Sequence, residues 1–148
     1  MSIRSNILIA ALCLFGGAAF AQGAPKPTDP QIAHIAYTAG VIDVTAAKQA
    51  IAKSKNKAVV AFAQDMLRDH EAVNKQALDL VKKLKVTPED NDTSKTLNKN
   101  ASDKLAELAK LNGAAFDKGY IDNEVAYHKA VNSALQSTLI PDASYSRR

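Results

Sequence analysis

Residues 56–85 read NKAVVAFAQDMLRDHEAVNKQALDLVKKLK. Val59, Phe62, Ala63, Met66, Val73, Ala77, Leu80, Val81 and Leu84 recur at spacings of three and four. That is the period of one helix face. A run of this length with no Gly or Pro inside it predicts one long amphipathic helix, Asn56 to Lys85. His70 falls near the centre of the apolar stripe, Asp69 at its edge and Asp65 farther out.

The same period continues on both sides. Upstream, Asp29 followed by Pro30 predicts an N-cap and a first helical residue. Helix 1 then runs from Pro30 to Lys53, with Ile32, Ala36, Ala39, Ala46 and Ala50 on its apolar face. Ser54-Lys55-Asn56 is the break. Downstream, Pro88 and Glu89-Asp90-Asn91-Asp92 make a loop. Helix 3 runs from Ser94 to Leu111 and ends at Asn112-Gly113, a favoured C-cap pair. Helix 4 runs from Ala114 to Leu139 and is stopped by Pro141. No segment alternates with the period of a strand. Short links between long helices predict antiparallel neighbours. The expected fold is all-α, an up-and-down helical bundle over residues 30–140, with an exposed leader at 22–29 and a short tail at 141–148.

Residues 1–21 read as a secretory signal peptide. Arg4 supplies the positive region, Ile7–Phe20 (ILIAALCLFGGAAF) the apolar core, and Ala19-Phe20-Ala21 a small-x-small cleavage site. The apolar run is shorter than the ~20 residues that span a bilayer. The reading is therefore export to the periplasm, with no membrane span in the mature chain. Cleavage removes Cys13, the only cysteine, and with it disulfide, iron–sulfur and thiol chemistry. The full chain has 148 residues and a net charge of +4. Its basic residues are spread along outer faces, and its four Tyr and four Phe do not interleave with them. A nucleic-acid partner is not expected.

Polar groups interrupt three apolar faces. On helix 4, Phe116, Tyr120, Tyr127, Val131 and Leu135 form the stripe, Glu124 lies at its centre, and Asp117 and His128 lie beside it. Glu124 and His128 are i and i+4, so both can address one point. On helix 1, Asp43 lies within the stripe, and His34 points the opposite way, toward solvent. An unpaired buried carboxylate costs several kcal/mol, so something compensates. One reading is a buried polar network including Asp69, Asp117 and Tyr120. The other is a divalent metal held by Asp43, His70, Glu124 and His128. No Glu-x-x-His pair of the di-iron bundles occurs, nor a Gly-rich phosphate loop or a Gly-x-Ser-x-Gly elbow. No catalytic residue is assigned.

Two segments together carry a family resemblance. They are KSKNKAVVAFAQDMLRDH, residues 53–70, followed by VNKQAL, residues 73–78; and GAAFDKGYIDNEVAYH, residues 113–128. Over about residues 32–143 the chain resembles the bacterial domain-of-unknown-function family 4142. The resemblance implies an exported protein with a ferritin-like helical bundle, in a family whose members are often labelled outer-membrane or periplasmic proteins. It places the family's Asp-His pair on Asp69 and His70, its Phe-Asp-x-x-Tyr on Phe116, Asp117 and Tyr120, and its helix 4 His on His128. On helix 1 Asp43 matches the family's first acid, while Thr45 stands where a second acid is usual and Ala47 where a glycine is usual. The family continues past Ala143 into one more long helix carrying another His, so the resemblance implies a C-terminally truncated bundle.

Two functions follow as expectations. The first is an exported, non-enzymatic structural, stress-related or interaction module with a buried polar network. The alternative is a ferritin-like divalent-metal-binding protein. If helix 3 stays a connecting segment, apolar side chains of two neighbouring helices remain uncovered. A homodimer or a helix-donating partner is then expected.

Overall fold

The computed structural model describes residues 26–144. The signal peptide expected over residues 1–21 lies outside the described residues. So do residues 22–25 of the leader and 145–148 of the tail. Four long helices follow one another: α1 (Asp29–Lys53), α2 (Lys57–Leu84), α3 (Asp92–Ala109) and α4 (Gly113–Ala134). A π-helical turn, Leu135–Leu139, and a short α5 (Ile140–Asp142) close the described chain. Among the described residues there is no strand. The protein is an all-α helical bundle.

Cross-helix contacts fix the directions. Gly40 lies against Asn74 and Asp43 near His70, so α2 runs antiparallel to α1. Gln49 reaches the Leu105 carbonyl and Lys53 the Ala109 carbonyl, so α3 runs parallel to α1. Ser54 meets Asp117, and Tyr127 meets the Ala39 carbonyl, so α4 runs antiparallel to α1. The topology is up-down-up-down. Helix α1 packs against the other three long helices. Its buried residues, including Ile35, Ala39, Ile42, Ala46, Ala47 and Ala50, surround the helix rather than form one stripe, as suits a central helix. Ala36, expected on the apolar face, is exposed.

The core gathers Ala46, Ala47 and Ala50 of α1, Val59 and Ala63 of α2, Leu108 of α3, and Phe116 and Tyr120 of α4. Alanines on α1 let the neighbouring backbones come close, and the two aromatics fill the space between them. Phe116 and Tyr120 stack with centroids 6.4 Å apart, and Phe62 meets Tyr120 edge-on at 6.2 Å. Helix α3 is a true member of the bundle, with Leu108 buried and Leu105 packed on the core. Large apolar surface is nevertheless exposed at Val73, Leu78, Leu80, Val125 and Ile140. A groove of about 230 Å³ runs between the start of α1 and the end of α2, lined by Ile32, Tyr37, Leu80 and Leu84.

Several helix ends differ from expectation. Thr28, not Asp29, caps α1: its hydroxyl accepts from the Gln31 N–H and the Gln31 side chain returns to the Thr28 N–H. This is a capping box, and Asp29 sits in the first turn, where its charge suits the helix dipole. Helix α3 starts two residues early because Asn91 and Ser94 cap each other. The Asn112-Gly113 pair opens α4 rather than closing α3, and Gly113 takes the left-handed φ of 53° that glycine tolerates. Pro141 does not stop the fourth helix. The chain widens into the π turn ahead of it, and helix resumes through Pro141. A wider turn relieves the clash of the proline ring with the preceding turn. Asp29 then accepts from the Ser144 N–H at 2.8 Å and from its hydroxyl, and Lys26 pairs with Asp142, tying the two ends of the described chain together.

Candidate metal centre

Asp43 sits halfway along α1, facing the seam between α2 and α4. Its position follows from the small residues around it: Ala39, Gly40, Ala46 and Ala47 are all buried. A Cβ on Gly40 would overlap the Asn74 amide oxygen. That close approach lies one turn from both Asp43 and His70.

His70 of α2 places Nδ1 3.4 Å from Asp43 Oδ2. Its Nε2 lies 3.4 Å from His128 Nε2 of α4. His128 Nδ1 is 2.9 Å from the Glu124 backbone carbonyl. A carbonyl only accepts, so Nδ1 carries the proton and Nε2 presents its lone pair to the seam. One donor atom each from Asp43, His70 and His128 lies within 4.8 Å of the others. Three helices therefore bring two imidazoles and one carboxylate to one point.

Glu124, the fourth candidate ligand, is 3% exposed. Its carboxylate is 3.9 Å from His128 Nδ1 and lies beside the triad rather than in it. No well-formed hydrogen bond reaches either Glu124 oxygen or Asp43 Oδ1, although the Asn123 side chain lies close enough to Glu124 to favour its charged form. Burial pushes the Asp43 carboxyl up to about 7. Burial and then the Asp43 charge push Glu124 up to about 7, against the pull of His128. Burial lowers His70, and the neighbouring His128 lowers it further. Two tyrosines border the cluster, Tyr120 buried and Tyr127 half-buried. Tyr127 donates to the Ala39 carbonyl at 3.1 Å, and the Tyr120 hydroxyl has no partner. Burial raises both phenols, and the Asp43 and Glu124 charges add to the effect.

The remaining expected network members lie elsewhere. Asp69 is exposed and paired with Arg68 at 2.9 Å, which corrects its place in a buried network. A one-residue step on α2 turns it about 100° from His70 and out of the seam. Asp117 accepts from the Ser54 hydroxyl at 2.6 Å, bracing the α1–α2 turn far from Asp43. His34 is half-buried rather than solvent-facing, with Nδ1 3.5 Å from the Thr38 hydroxyl and 3.9 Å from Asp90. Two contributors escaped the sequence reading, Tyr127 as a polar contact and the Gly40–Asn74 approach. Tyr127 stood next to His128 in the stripe, a position that signals a polar tip inside an apolar face.

Asp43, His70 and His128 are a group that could hold a divalent cation, and their donor types are those of a borderline one such as zinc. The nitrogen-plus-carboxylate set matches that preference; its donor atoms lie within 4.8 Å of one another, and tetrahedral coordination would draw them to roughly 3.3–3.6 Å. Without a cation, the same groups form a directional chain. His70 Nε2–H donates to His128 Nε2 at 3.4 Å, and His70 Nδ1 faces Asp43 Oδ2 at 3.4 Å. His128 Nδ1–H then donates to the Glu124 carbonyl.

No curated protein and no solved structure matches the chain. Residues 16–146, however, match the family described as Domain of unknown function (DUF4142). Asp43 on α1, His70 on α2, and Glu124 and His128 on α4 all lie inside that match, and the chain belongs to this family.

Proposed function

We propose that the protein is an exported helical bundle that binds one divalent transition cation at Asp43, His70 and His128, with Glu124 as the fourth ligand. It works as a binding module in the periplasm rather than as an enzyme. The convergence of three donor atoms from three helices, within 4.8 Å, carries this reading. Three buried carboxylate oxygens that no well-formed hydrogen bond reaches support it, since a cation compensates their desolvation. Export rests on the reading of residues 1–21, and among the described residues no helix is long and apolar enough to cross a membrane.

Metal analysis of protein purified from the periplasmic fraction without chelator tests both parts. The expected result is one zinc-class ion per chain and a mature N-terminus at Gln22. A metal-free chain that also fails to take up added zinc would contradict the metal site, and a full-length cytoplasmic species would contradict export.

The second reading is a cation-free polar network that pins the seam. The two 3.4 Å contacts of His70 favour it, because they already link α1, α2 and α4. Under that reading the bundle is a structural or stress-related interaction module.

A further inference from the structure

Tyr120, Glu124 and His128 occupy successive turns of α4, at i, i+4 and i+8, and so share one face. Their exposure falls inward along the helix. The His128 side chain is 36% exposed, the Glu124 side chain 3%, and Tyr120 is fully buried. The Tyr120 ring is held by Phe116 stacked on it and by Phe62 against its edge, so the hydroxyl cannot swing out to water. That hydroxyl has no partner. Among the described residues the buried acceptors that no well-formed hydrogen bond reaches are Asp43 Oδ1, Gln49 Oε1 and both Glu124 oxygens. Of these, Glu124 alone lies on α4, one turn from Tyr120 on the same face.

A phenylalanine would fill the same space without stranding a hydroxyl at a cost of ~1–3 kcal/mol. Ligating carboxylates are themselves held by hydrogen bonds, and losing such a partner weakens metal affinity about 10–100-fold. We infer that Tyr120 is a positioning residue of the cation site: its hydroxyl donates to Glu124 and holds that carboxylate turned toward Asp43 and His128 when a cation binds. The inference rests on the cation-site reading above and adds to it the residue that aims the fourth ligand. Through it the site extends into the aromatic core, and the packing of Phe116 and Phe62 sets where the hydroxyl sits.

The test is a double-mutant cycle on the full mature chain, with zinc alone as the probe and affinity read by competition with a chromophoric chelator. Tyr120→Phe is expected to weaken zinc binding about 10–100-fold in the wild-type background and less than about twofold in a Glu124→Gln background. Leu108→Val, a packing change elsewhere in the core, is expected to lower the melting temperature and leave zinc affinity within about twofold. A second measurement needs no change at Tyr120. Zinc is expected to produce a near-ultraviolet tyrosine difference spectrum in the wild type that Glu124→Gln abolishes. Equal zinc affinity of wild type and Tyr120→Phe would overturn the inference while leaving the cation site standing. Equal losses in both backgrounds would overturn it too, since Tyr120 would then act by some route other than Glu124. A wild-type chain that takes up no zinc would overturn both the site and the inference.

Discussion

His128 Nδ1 donates to the backbone carbonyl of Glu124 at 2.9 Å, and this one bond sets the polarity of the whole seam. It leaves His128 Nε2 as an acceptor, so His70 must donate to it through Nε2. As an imidazolium His70 would donate to the Asp43 carboxylate; as a neutral ring its Nδ1 faces Asp43 as an acceptor, which calls for a protonated carboxyl. The raised Asp43 carboxyl, at about 7, agrees with that demand. A cation replaces this proton arrangement with coordination.

The pH dependence of stability follows. Asp43 and Glu124 have folded values of about 7, above their ordinary values of 3.8 and 4.5. Their contribution is fully present below about pH 4 and is lost as pH rises through 7. His70 is lowered, so it opposes this by destabilising the fold as pH falls below its ordinary 6.5. Two strongly shifted carboxyls outweigh one modest imidazole shift. Without metal, the chain should resist urea better at pH 5.5 than at pH 8, and Asp43→Asn should flatten the difference. A stability that rises steadily from pH 5.5 to pH 8 would contradict the buried-acid assignment.

Adjacent residues on α2 should behave oppositely. His70→Ala removes the ring that faces Asp43 at 3.4 Å and should cost about 1–3 kcal/mol. Asp69→Ala removes an exposed pair with Arg68 and should cost less than about 1 kcal/mol. Chemical denaturation of both variants measures this. Equal effects would mean that the α2 face is rotated from the one described.

Gly40→Ala is expected to destabilise by about 1–3 kcal/mol, although alanine is the better helix former. The added methyl meets the Asn74 side chain across the α1–α2 contact. Asn74→Ala in the same chain should recover most of the loss. Thermal melts of the three variants decide it, and an additive double variant would contradict the packing account.

The exposed apolar residues on the outer half of α2, Val73, Leu78 and Leu80, favour self-association. Light scattering should show dimers or larger species as concentration rises, and Leu80→Glu should reduce them. A monomer at all concentrations would contradict this expectation.

Much of this was legible in the sequence for a simple reason. The 3.6-residue period on α2 and α4 is strong, and a polar residue in the middle of such a stripe is conspicuous. His70, Glu124 and His128 were visible that way, as was Asp43 among the alanines of α1. Asp69 was misplaced because it stands at the stripe edge, where a small helix rotation moves a side chain from seam to solvent. The π turn before Pro141 was invisible because proline normally ends a helix, and tolerance depends on local widening rather than composition. The cap at Thr28 was hidden by the Asp29-Pro30 pair beside it. The Gly40–Asn74 approach needed the α1–α2 register, which no single-helix pattern contains.

Calorimetric titration of the metal-free chain with zinc near pH 6.5, repeated in buffers of different ionisation enthalpy, tests the cation site most directly. Coordination requires carboxylates where the free seam holds carboxylic acids, so binding must release protons. The expected result is one zinc per chain with release of about one to two protons, falling as pH rises above 7, and loss of binding in His70→Ala. Absence of binding, or binding that is proton-neutral and indifferent to His70, would contradict the site described here.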